Sequence, residues 1–221
     1  MLIFGTLLLA LALFGLSRRG SYTNITKQPD YLDGLMVGEI PENFAKEDCK
    51  NRKDSLSQAN LILRVRAEEP LETMFGVCRQ KVHVEQVFQG DGLKTDDEIY
   101  LISSRWLLNI SPVYAEKSVE RGFVNVLRVG YEYLVFCGEQ VDTLTGETNI
   151  YRLSGDGESL VVPVFCYDDI DNTIVATSGE STYVPYSEVK NNEFFACTEG
   201  ALKAIEELKR EMLNEYPKSD Q

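Results

Sequence analysis

The chain has one histidine, His83, and one tryptophan, Trp106, in 221 residues, and its five cysteines form no C-x-x-C pair. Zinc fingers and zinc ribbons, which need clustered cysteine and histidine, are therefore excluded. Basic residues are also scarce, with 22 Lys and Arg against 35 Asp and Glu and a formal charge of −13. Such a surface repels phosphate backbones and anionic lipid, so the electrostatic attraction that dominates nucleic-acid binding is missing, and nucleic acid is not an expected partner. No apolar run is long enough for an upright bilayer span. The longest, Leu2 to Leu16, rises about 22 Å as a helix, against a hydrocarbon layer of about 30 Å.

What is present at the N-terminus is a targeting pattern. Leu2 to Leu16 carry no charge and no strongly polar group beyond Thr6, and Ser17, Arg18 and Arg19 follow at once. The run matches the apolar region of a signal peptide, and residues 1–20 are read as a signal or membrane-anchor segment, with a tilted anchor as the alternative. No basic residue precedes the run, and the Ala10-Leu11-Ala12 sequence lies inside it, which argues against clean cleavage. Applied to Arg18 and Arg19, the positive-inside rule would hold the domain in the cytoplasm. The unbroken apolar run followed by polar chain favours the opposite placement, a membrane-attached or secreted protein with its domain outside the cytoplasm.

Residues 21–47 are polar and interrupted by Pro29, Gly34, Gly38 and Pro41, so they read as a tether or irregular arm, and the irregular texture runs on to Lys53. Asn24-Ile25-Thr26 and Asn109-Ile110-Ser111 are glycosylation sequons, relevant only in a eukaryotic secretory pathway. Residues 48–215 form the expected domain and 216–221 a tail.

Hydropathy within the domain has a period of two. Leu61 to Ala67 is a strand ended by Glu68-Glu69-Pro70. From Val77 to Phe88, Cys78, Val82, Val84 and Phe88 share one face and Arg79, Lys81, His83 and Glu85 the other, with Val87 out of phase and marking a bulge. Asp97 to Ser103, Gly130 to Gly138 and Asn149 to Leu153 supply three more strands. The connection over 104–130 holds a weakly periodic helix at Val113 to Glu120. Leu160 to Tyr167 with Thr173 to Thr177 is an additional hairpin. A helix follows, with Thr198 as N-cap and Leu202, Ile205, Leu208 and Met212 as its apolar stripe, and Pro217 bars its extension. The fold class expected is mainly β: a five-stranded OB-type Greek-key barrel with an additional β hairpin and a C-terminal packing helix.

Four segments carry a family resemblance over about Asp48 to Leu213. They are Cys49 ahead of Ala59-Asn60-Leu61-Ile62-Leu63, Val82 to Gly90, Gly130 to Phe136, and Cys197 before the last helix. Together they resemble the netrin-like and tissue-inhibitor-of-metalloproteinases superfamily, in its bacterial form. In inhibitors of that kind an amino-terminal cysteine chelates the protease zinc. Cys49 is internal, so its nitrogen is a peptide amide, and this activity is not carried over.

The cysteines leave two readings open, long-range disulfides with one thiol left over or buried thiols acting as small hydrophobes. Cys78, Cys137 and Cys166 lie within strand patterns that account for them. Cys49 and Cys197 flank the barrel in polar surroundings and are the candidate disulfide.

No catalytic, cofactor-binding or metal-ligating set emerges. Cys78 and His83 fall on opposite faces of one strand, so they do not form a nucleophile and base. Asp168-Asp169-Ile170-Asp171-Asn172 offers oxygen ligands but lacks EF-hand spacing and reads as an acidic turn, as does Asp156-Gly157-Glu158. Tyr100, Trp106, Tyr131 and Tyr133 would suit a base-stacking platform, but without a basic groove they read as core. The expected function is non-enzymatic: an extracytoplasmic binding or interaction module with a protein partner. An inhibitor of an extracellular protease is the alternative, and a hydrolase ranks last.

Overall fold

The computed structural model describes residues 5, 11–16, 30–38, 41–74, 77–109, 118–120, 126–142, 146, 149–155, 163–175 and 183–218. The chain divides into two compact units, Met1–Tyr31 and Leu32–Gln221. In the first, residues 11–16 are helical. No helix among the described residues is long and apolar enough to cross a membrane. Arg18, Arg19, the first sequon, Ile110 and Ser111 of the second, and Asp156-Gly157-Glu158 lie outside the described residues.

Among its described residues the second unit has ten strands: β1 (Met36–Gly38), β2 (Leu61–Ala67), β3 (Glu72–Met74), β4 (Val77–Gln89), β5 (Glu98–Asn109), β6 (Ser118–Glu120), β7 (Glu132–Gln140), β8 (Ile150–Leu153), β9 (Val164–Cys166) and β10 (Tyr183–Pro185). Its helices are α1 (Glu42–Leu56), the single turn α2 (Tyr186–Val189) and α3 (Glu199–Glu215).

Five strands close a barrel. β2 lies antiparallel between β4 and β7, β4 pairs with β5, β8 pairs antiparallel with β7, and the parallel pair β5–β8 completes the ring. This is the OB-type topology expected from the strand pattern. The inner face of β4 is Cys78, Gln80, Val82 and Val84, all buried, while Arg79, Lys81, His83 and Glu85 are half-buried on the outer face. The register between β2 and β4 shifts twice, once passing Glu85 and once passing Phe88, so irregularities bracket Val87 where its phase had broken. Such bulges add the local twist that a small barrel needs. Gly90 ends β4 at φ +105°, and a Cβ there would overlap Leu61 and the Asn60 carbonyl, so the turn after β4 requires glycine.

Gln80 is the polar residue of the inner face, and its three hydrogen bonds explain its burial. Its amide donates to the carbonyls of Leu127 (2.7 Å) and Glu69 (3.0 Å), and its oxygen accepts from the Leu127 N–H (3.1 Å). The segment entering β7 is thereby tied to the β4 wall.

The structure corrects three expectations. The stretch read as an arm contains β1, which pairs with β10 and β6, and α1, which starts at Glu42. α1 buries Ala45, Cys49, Arg52 and Leu56, a helical spacing carried by only one large apolar residue, which is why hydropathy alone concealed it. The helix expected at Val113 to Glu120 is replaced over its described part by strand β6. The extra β element is β9, laid on β7; Thr173–Val175 is not strand, and 176–177 lie outside the described residues. The C-terminal helix agrees with expectation in its cap, where Thr198 Oγ1 accepts from the Ala201 N–H at 3.1 Å, and in Ile205, Leu208 and Met212, which are buried against the barrel core; at its first turn Ala201 is the buried residue and Leu202, expected in the stripe, is half-buried.

Replacing Gln80 with the similarly sized Leu leaves the buried N–H and C=O of Leu127 without these partners. At about 1–3 kcal/mol per stranded group, Gln80→Leu is expected to lower the unfolding free energy by about 2–5 kcal/mol with an unchanged denaturant slope, as read from urea titration.

Candidate functional site

Between α1 and α3 lies a groove of about 540 Å³, with Lys46, Lys50, Lys53 and Lys203 on its walls and Cys49, Ala204 and Leu208 in its floor. The two helices run parallel. Thr198 Oγ1, at the start of α3, donates to Glu42 Oε2 at 2.7 Å at the start of α1. Near their far ends, Lys53 pairs with Glu211 at 3.1 Å and Ser57 Oγ donates to Glu215 at 3.0 Å. Parallel helices place like dipole ends together, and the Glu42 carboxylate offsets this at the positive end of α3. A Cβ at position 200 would occupy the space of that carboxylate, so Gly200 makes the contact sterically feasible. Hydrogen bonds from Lys46 and Thr198 hold the Glu42 carboxyl below its ordinary pKa.

On the other side of α3 lies a second cavity of about 590 Å³, bounded by Asp169 to Asn172, Phe194, Lys209 and Arg210. Beside it Glu193, its side chain only 2% exposed, accepts from the Cys166 N–H at 2.7 Å and from Lys209 Nζ at 2.5 Å. Burial raises the Glu193 pKa, and Lys209 is the largest influence opposing that rise. Asn172 Oδ1 accepts from the N–H groups of both Glu193 and Phe194, so the acidic turn is fastened to the core by its asparagine. Among the described residues no group of three or more His, Cys, Asp or Glu side chains is arranged to hold a metal ion.

The other sequence candidates are separated by the fold. Cys78 is in the barrel core, whereas His83 lies outside with its nitrogens 3.4 Å from Glu85 and 3.5 Å from Asp96. Trp106 and Tyr133 are buried, and Tyr133 Oη accepts from the Arg128 N–H. Tyr100 and Tyr131 are half-buried beneath the guanidinium groups of Arg79 and Arg128. Cys49 and Cys197, expected to bond, are both thiols in the structure, as are Cys78, Cys137 and Cys166. Cys49 belongs to the buried stripe of α1, so packing accounts for it, and its nitrogen is a helical amide. The α1–α3 groove escaped the sequence reading because α1 did. Its available signal was the recurrence of lysine at 46, 50 and 53, a helical spacing.

Two outcomes are expected. Burial pushes the Cys49, Cys137 and Cys166 thiols up to about 12. Iodoacetamide at pH 8 should therefore leave these three unmodified in the native protein and reach them only after unfolding, as mass spectrometry would show. Lys209→Met removes the ammonium that holds the Glu193 pKa down, so the folded-state pKa rises further above its unfolded value. Stability from a raised carboxyl is fully present below the unfolded pKa and is lost as pH rises through the folded one. The variant should accordingly lose about 3–5 kcal/mol at pH 8 and markedly less at pH 5, measured by urea midpoints.

Neither a family model nor a curated protein matches this chain.

Proposed function

We propose that this protein is a non-enzymatic binding module of the netrin-like kind, held at the outer side of a cell membrane by its N-terminal segment and recognising a protein partner. The observation that carries the reading is the helical segment 11–16, on which Leu11, Leu13, Phe14 and Leu16 are all 59–64% exposed. These positions point around the whole circumference of a helix, and a helix apolar all round belongs in a protein core or in lipid. The closed OB-type barrel fits the family resemblance, and the charge of −13 turns the module away from nucleic acid.

The sign of Arg18 and Arg19 opposes this placement, so the test is topological. A reporter active only outside the cytoplasm, fused after Gln221, is expected to be active, and a cytoplasm-only reporter at the same position silent. The reverse pattern rejects the extracytoplasmic placement. Cross-linking in intact cells should then trap a protein partner on the second unit; a module recovered only as an uncross-linked chain rejects the partner.

A further inference from the structure

Four lysines converge on the α1–α3 groove in a chain whose formal charge is −13. The protein neutralises two of them itself, Lys46 with Glu42 and Lys53 with Glu211. Between these pairs, Lys50 and Lys203 line the same cavity, and neither has an acidic partner within ion-pair distance among the described residues. Beneath them, Cys49 and Leu208 are buried and Ala204 half-buried, so the floor under the two ammonium groups is apolar.

We propose that the middle of this groove binds a small organic dianion, a dicarboxylate or a phosphomonoester, with its charged groups at Lys50 and Lys203 and its carbon body on Ala204 and Leu208. The ligand is anionic because ammonium groups outnumber carboxylates in the lining, four to two, and of the three charges there without an ion-pair partner among the described residues two, Lys50 and Lys203, are ammonium groups and one, Glu207, is a carboxylate. It is compact because the carboxylates of Glu207 and Glu211, which share the lining with the lysines, repel a long polyanion. It carries carbon because the floor offers no polar side chain, and 540 Å³ lies within the range of small-ligand sites. One end of the groove already shows this chemistry in intramolecular form: the Glu42 carboxylate is held there by an ammonium and a hydroxyl at the start of α3. The inference is independent of membrane placement and of a protein partner, and it stands or falls separately from them.

The test is calorimetric titration of the full chain, in a neutral detergent at low ionic strength, with succinate, glycerol 3-phosphate, inorganic phosphate and the uncharged succinamide. Succinate or glycerol 3-phosphate is expected to bind, more weakly as salt is added, and the Lys50→Gln/Lys203→Gln double variant to bind it about tenfold more weakly. Succinamide is expected not to bind. Both lysines are exposed, so an unchanged melting temperature verifies that the variant is folded. Absence of binding by both organic anions, or equal binding by the folded double variant, overturns the proposal. Inorganic phosphate binding as tightly as the better organic anion overturns its organic part.

Discussion

The parallel pairing of β5 with β8, from Tyr100 opposite Ile150 to Ile102 opposite Arg152, is the contact on which the remaining architecture depends. A tight hairpin cannot join parallel strands, so the chain must leave β5, build β7 on the far side of β2, and return. Closure makes each of the five strands a neighbour of two others and removes the open edges that an isolated sheet would present. β8 is only four residues long, however, while β5 and β7 are much longer. The unused length on β5 takes β6 at Leu107 to Asn109, and that on β7 takes β9 at Tyr133 to Val135. Through β6, the sheet continues to β1 and β10, which carry a second small core of Val37, Val184, Tyr186, Val189 and Phe195. The short closing strand thus explains why the sheet grows beyond the barrel along β5 and along β7, while β3 adds to it along β4.

The barrel was legible in the sequence because its strands are patterned by burial. Leu61 to Ala67 and Glu132 to Cys137 face apolar surroundings over most of their length, and β4 alternates cleanly until its bulges. The final helix was legible for a similar reason, since its cap and stripe are both local signals. α1 was not, because Arg52 and Cys49 occupy positions where a helix ordinarily shows leucine, and Arg52 is buried by donating to the Ser154 carbonyl at 2.7 Å. A polar residue satisfied by a distant backbone group leaves no trace in a hydropathy period. Glu193 and Gln80 share that property: each is buried on account of partners 11 to 47 residues away. Among the candidate sites, the separation of Cys78 from His83 followed from strand parity, whereas the lysine groove required knowing that two remote segments are helices lying side by side.

Charge works in opposite ways on the two sides of α3. In the groove, ammonium groups outnumber the carboxylates close enough to pair with them, and water screens the excess. On the other side, Lys209 meets the buried Glu193, where removing either partner would strand a charge away from water. The groove therefore tolerates exchange of its counterions, and the Glu193 side does not. A helix between these environments can present a changeable surface on one face while the other is fixed.

That fixing addresses a problem that apolar packing alone leaves open. Ala201, Ile205, Leu208 and Met212 recur at helical intervals, so a displacement of α3 by one turn along the barrel would again present apolar side chains to the core. The polar contacts distinguish those positions. Thr198 meets Glu42 at the first turn, Lys209 meets Glu193 in the middle, and the carbonyl of Tyr216 accepts from Tyr167 Oη at 2.7 Å at the end. Tyr216 also packs edge-on against Phe88 and Phe136, joining the helix end to two barrel strands. A one-turn slip of about 5.4 Å would break all three polar contacts at once and leave Glu193 buried without its ammonium. Ion pairs and hydrogen bonds of this kind add little net stability when each is compared with an apolar substitute, but they separate the native register from its neighbours. The same register brings Lys203 opposite the lysines of α1, so the geometry of the groove is set by contacts made at the ends of α3 and on its opposite face.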